Sequence, residues 1–137
     1  TPFPGRLAVA PRPRGGDWLY DEVRGWRDAG VDTVVSMLTP DEAAELDLGG
    51  ESDTATSQGI RFRTLPVADR AVPASPAAFR ELVEEVVREL AAGRRVVVHC
   101  RQGIGRAGLV AAGVLIAAGL DPQTAVERAS EARGRSV

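Results

Sequence analysis

The segment from Arg95 to Ala118 constrains the fold more than any other part of the chain. Its opening, Arg95-Val96-Val97-Val98-His99, is apolar at consecutive positions and therefore on both faces of a strand. Strands of that kind lie inside parallel sheets covered by helices on two sides. A glycine-bearing loop follows, and then Leu109 to Ala118 reads LVAAGVLIAA. That run is too short to cross a bilayer and suits a buried helix. The rest of the chain alternates strand and helix signals, so helical layers are available for both faces. The expected fold is α/β, a central and mostly parallel sheet of about four to five strands flanked by helices.

Upstream, Leu7 to Ala10 reads as a short first strand, ended by the stiff Pro11-Arg12-Pro13-Arg14-Gly15-Gly16 stretch. Asp17 is placed to cap a helix with Leu19, Val23 and Trp26 on one face, and Gly30 stops it. Val31 to Leu38 is a second strand. Thr39-Pro40-Asp41-Glu42 is a capping box with proline at the first helical position. Leu48 to Gly59 is polar and glycine-bounded, which fits a loop or a weak helix. Ile60 to Leu65 alternates apolar and basic residues like a half-solvated strand, and Pro66 to Pro73 is a pinned loop. Ser75-Pro76 opens the clearest helix, with Phe79, Leu82, Val83, Val86, Val87 and Leu90 at helical spacing before Gly93. A last helix is expected from Asp121-Pro122. Trp18 and Trp26 read as core anchors, and Arg12, Arg14, Arg94 and Arg95 as surface charges.

At 137 residues the chain supports one domain with one core. A net charge of −2 argues against general nucleic-acid binding, which needs a basic surface. The 17 basic residues are all arginine. One cysteine excludes an intramolecular disulfide framework and a four-cysteine zinc site, and one histidine adds little. Neither a metal nor another cofactor is expected. A lone thiol fits a reducing, cytoplasmic compartment. No signal-peptide pattern opens the sequence, and neither a membrane nor an oligomeric partner is indicated.

The chemistry concentrates at His99-Cys100-Arg101-Gln102-Gly103-Ile104-Gly105-Arg106-Ala107-Gly108. Gly103 and Gly105 allow a close backbone approach to a ligand. The successive N–H groups of Arg101, Gln102, Gly103, Ile104, Gly105 and Arg106 can then form an anion nest, backed by the positive end of the next helix. A thiol there meets fixed partial positive charge, the setting in which cysteines act as nucleophiles. Arg106 stands far enough along the loop to reach across it and grip two phosphate oxygens. Nucleophile, cradle and clamp together support phosphoryl transfer through cysteine. A lone cysteine on a buried strand is usually core filler, but the glycines and Arg106 argue for function.

His-Cys-x5-Arg after an apolar strand resembles the signature of the protein tyrosine and dual-specificity phosphatases. Leu65-Pro66-Val67-Ala68-Asp69-Arg70, followed by Val72-Pro73, resembles the general-acid loop of the compact dual-specificity group, especially kinase-associated phosphatase and its bacterial relatives. Pro13-Arg14-Gly15-Gly16-Asp17-Trp18-Leu19 and Val35-Ser36-Met37-Leu38 are similar to that group as well. The resemblance implies Cys100 as nucleophile, Arg106 as phosphate clamp and Asp69 as general acid, with a phosphorylated protein or peptide as substrate and no metal. Asp53 and Glu51 are the next candidates for the acid. His99 reads two ways, as a residue orienting the loop or as a satisfied strand-end imidazole. Arg70 reads as a solvated charge.

One residue departs from the family pattern. Ala107 stands where a serine or threonine hydroxyl usually assists the departing thiolate, so a slow second step is expected. Relatives often carry more helix past the position of Val137, so the domain at 1–137 is expected to be trimmed there. Two alternatives to an active protein phosphatase remain at this level. One is a phosphate-binding, weakly catalytic pseudophosphatase. The other is a sulfurtransferase, against which Arg106 and the Asp69 loop speak. Phosphoinositides are disfavoured because the loop carries no lysine.

Overall fold

The computed structural model describes residues 5–67, 75–101, 105–119, 121, 123, 124 and 127. Four strands form one sheet: β1 (Arg6–Pro11), β2 (Thr33–Ser36), β3 (Arg61–Thr64) and β4 (Arg95–Cys100). Their order is β1-β4-β2-β3, and every pairing is parallel. The helices are α1 (Leu19–Asp28), α2 (Pro40–Glu45), α3 (Glu51–Ser57), α4 (Pro76–Ala91) and α5 (Gly105–Ala117). The described residues thus form the α/β layers expected of the chain, with four strands among them.

β4 is interior, and every residue after Arg95 is buried. Its alternation divides the core into two. Val96, Val98 and Cys100 join Leu82, Val86 and Leu90 of α4 and Val110 and Val114 of α5. Val97 joins Leu19 and Val23 of α1, Ala55 of α3 and Leu48 on the opposite face. Burying a side chain such as Leu90 contributes about 1.5–3 kcal/mol, so both faces hold β4 in register.

Local signals fold where the sequence places them. Thr39 caps α2 in a capping box, its Oγ1 accepting from the Glu42 amide at 3.3 Å. Ser75 caps α4 by accepting from Ala78 N at 3.1 Å, with Pro76 at the first helical position. Gly30 and Gly93 end α1 and α4 at φ 84° and 85°, a region that L side chains rarely adopt. Leu48 to Gly59 resolves into α3. Asp121 accepts from Thr124 N at 3.1 Å, as an N-cap would, but most of that last helix lies outside the described residues.

Two expectations need correction. Asp17 does not cap α1; it sits inside a single 3-10 turn, Gly16–Trp18, that leads directly into the helix. A Cβ on the preceding Gly15 would collide with the Leu46 carbonyl oxygen, so this turn is held close against the end of α2. Trp18 is no core anchor either. It is 56 % exposed, with the Arg14 guanidinium 4.5 Å above its ring. Trp26 does pack against the core. Arg14 is a surface charge as expected, and it pairs with Glu22 at 2.7 Å.

Candidate active site

β4 ends on Cys100 and α5 begins at Gly105, at the carboxyl end of the sheet where open α/β folds bind ligands. Cys100 is a free thiol, 3 % exposed. Ala107 is fully buried in the same cluster. The side chain at this position is a methyl and offers no hydroxyl to the sulfur.

Arg106, in the first turn of α5, is 3 % exposed. Its Nη1 donates to Glu42 Oε1 at 2.5 Å and to the Val67 carbonyl at 2.8 Å, and its Nη2 donates to Glu42 Oε2 at 3.0 Å. This is a bidentate fork, which a lysine could not reproduce. Glu42 also takes the Thr39 amide on Oε1 at 3.2 Å, so the α2 cap fixes the carboxylate that fixes the arginine. The hydrogen bond from Arg106, helped by the Thr39 amide and the guanidinium charge and opposed by partial burial, lowers Glu42 from 4.5 to about 2. Two hydrogens of one guanidinium edge are thereby committed to Glu42.

His99 lies on the other face of β4. It is fully buried, its Nε2 is 2.6 Å from Glu51 Oε2, and its ring stacks on Trp26 with centroids 6.0 Å apart. Nδ1 is buried with no hydrogen-bond partner among the described residues. Arg101 is half-buried, with Nη2 donating to Glu45 at 3.2 Å. Asp69, Arg70, Gln102, Gly103 and Ile104 lie outside the described residues.

The structure thus brings Cys100, Arg106, Ala107 and His99 to one end of the sheet and adds three groups that sequence reasoning missed. Glu42 was legible only as a helix cap. Glu51 was read as a reserve acid, yet it is 2 % exposed and held against His99. Asp53, the other reserve, is exposed on α3. The Val67 carbonyl carries no sequence signal at all. Among the described residues no cluster of His, Cys, Asp and Glu is placed to hold a metal, and no helix is long and apolar enough to cross a membrane.

Over residues 3–136 the sequence matches the family described as PTP-SAK, Swiss Army Knife protein, DSP-PTPase phosphatase domain. The chain belongs to this family of dual-specificity, tyrosine-phosphatase-type domains. Among individual proteins it is similar to cyclin-dependent kinase inhibitor 3 of Rattus norvegicus, at 27 % identity over 110 residues, 79 % of this chain and 51 % of that protein. The chain therefore spans about half the length of that curated relative. Its fold is similar to that of kinase-associated phosphatase solved with its catalytic-site cysteine replaced by serine, with TM-score 0.82, 24 % identity, and 93 % and 74 % of the two chains covered. Tk-PTP in its active form has TM-score 0.77 and 24 % identity, covering 96 % and 82 %. The human tyrosine phosphatase-like serine/threonine/tyrosine-interacting protein has TM-score 0.72 and 20 % identity, also covering 96 % and 82 %.

Proposed function

We propose that this chain is a protein phosphatase that hydrolyses phosphotyrosine, with phosphoserine and phosphothreonine as further substrates, through a phosphocysteine intermediate. The observation that carries this reading is the buried Arg106 guanidinium, tied to Glu42 and Val67 beside the strand that ends on Cys100. A guanidinium fixed by these partners is pre-oriented at the end of the strand, which lowers the entropic cost of binding a phosphate there.

The Cys100 thiolate attacks phosphorus, forming a P–S bond as the ester P–O bond breaks. Asp69 protonates the departing oxygen. Water then attacks phosphorus, the Asp69 carboxylate takes its proton, and the P–S bond breaks to return the thiolate. The amides of residues 101–106 and the N-terminus of α5 hold the phosphoryl oxygens through both steps. His99, fixed by Glu51, supports the strand end from the far face.

Ala107 favours a second reading, a domain that binds phosphate and turns over slowly. A hydroxyl donating to a charged sulfur is worth about 1.5–3 kcal/mol, so its absence slows thiolate departure roughly ten- to hundredfold. Burst kinetics on p-nitrophenyl phosphate separate the two. The expected result is a stoichiometric burst, slow steady release, and phosphate on Cys100 in intact-mass spectra. Ala107→Ser should raise the steady rate and leave the burst almost unchanged. Fast turnover without a burst would remove the slow-catalyst reading, and no reaction from either form would leave a binding module.

A further inference from the structure

On the face of the sheet away from Cys100, α2 and α3 flank a half-open cavity of about 240 Å³ above the ends of β2 and β3. Its walls are mostly apolar, formed by Leu38, Pro40, Ala43, Leu48 and Phe62. No arginine or histidine lines it among the described residues, and one carboxylate does, that of Glu51. The hydroxyls of Ser36 and Thr39 in the wall are already engaged as acceptors, from the Leu38 and Glu42 amides.

Glu51 gives the cavity its character. The residue is 2 % exposed, and its Oε2 is occupied by His99. Oε1 makes no hydrogen bond with any described residue. A carboxylate can accept about four hydrogen bonds, so Oε1 keeps acceptor capacity for a donor placed in the cavity. A complementary occupant therefore presents a cationic donor to Oε1 and an apolar stem to the surrounding walls. The cavity is smaller than the roughly 300–1,000 Å³ typical of drug-sized sites, so the occupant is compact.

We infer that this cavity binds a guanidinium or ammonium group on a short apolar stem. The site is separate from the phosphoryl cradle but shares its frame. Pro40 opens the helix that carries Glu42, Pro66 in the wall precedes the Val67 carbonyl that takes Arg106, and Glu51 holds His99. An occupant thus braces the elements that position the arginine and the strand end.

The test is a titration of the whole chain with n-butylguanidinium, followed by amide chemical shifts and melting temperature, beside its neutral isostere n-butylurea. Expected are saturable shifts centred on Leu48, Glu51 and Phe62, a rising melting temperature, and guanidinium affinity at least about tenfold above that of the urea. Ala43→Leu, which fills the cavity, should abolish the saturable shifts. Glu51→Gln should erase the preference over urea, and because it also disturbs His99, the Ala43 variant carries the decision if Glu51→Gln fails to fold. Absence of saturable shifts, equal affinity for the urea, or unchanged binding in Ala43→Leu would each overturn the inference. A short peptide with one arginine distinguishes the source of the cation. Binding as tight as butylguanidinium supports a protein side chain, and markedly weaker binding supports a free small cation.

Discussion

The two ends of the sheet hold similar charge pairs and use them differently. At the amino-terminal end Glu89 of α4 is 4 % exposed and accepts from Thr33 Oγ1 at 2.7 Å, with Arg61 and Arg94 at 3.4 and 3.7 Å. There the carboxylate is buried and its arginines are about half exposed. At the carboxyl-terminal end the guanidinium is the more buried partner: Arg106 is almost fully buried, and the Glu42 side chain is 13 % exposed. A buried carboxylate with solvated partners closes the bottom of a core. A buried guanidinium clamped in two places is an oriented donor, which is what an anion site needs. Under the proposed function the same ion-pair chemistry serves stability at one end and positioning at the other.

That contrast can be broken most sharply at Arg106. Arg106→Lys should lower turnover of p-nitrophenyl phosphate by roughly a hundred- to a thousandfold, because an ammonium cannot keep Glu42 and two phosphate oxygens in one plane. Phosphate affinity in calorimetry should fall with it; equal affinity would remove the clamp.

Glu42→Gln should act through the arginine and cost less, about ten- to hundredfold in kcat. Melting should change modestly, since glutamine keeps an amide oxygen that can accept from Arg106. If KM alone rose and kcat held, Glu42 would be a substrate contact and not a positioning residue.

Glu89→Gln should give the opposite pattern. Stability should drop by about 1–3 kcal/mol in urea unfolding, from the loss of a charged acceptor, with kcat unchanged. A fall in kcat comparable with that of Glu42→Gln would erase the distinction between the two ends.

The smallest effect is one of pH. Glu42 is lowered from 4.5 to about 2 by Arg106 and Thr39, so its contribution to stability is complete above about pH 4.5. It is lost as pH falls through about 2, where the folded carboxylate takes up its proton. The stability gap between the native chain and Glu42→Gln should therefore be constant near neutrality and close across that window. A gap that persists at pH 2 would assign it to packing.

What the sequence determined by itself was whatever rests on neighbours along the chain. The double-faced apolar run of β4 dictates an interior strand and so an α/β layer fold, because only helices on both sides keep Val96, Val97 and Val98 from water. The Thr39 capping box and the Ser75-Pro76 start were legible because their hydrogen bonds close within three residues. Tertiary structure alone decided the rest. Arg106 meets Glu42 across 64 positions, and His99 meets Glu51 across 48, distances over which no local pattern carries information. Glu42 looked fully explained as a cap, and its carboxylate had a second oxygen to give. Trp18 resembled a core residue by size, yet the 3-10 turn carries it onto the surface under Arg14. Propensity and spacing set the elements, whereas which charge faces which depends on how the sheet folds them together.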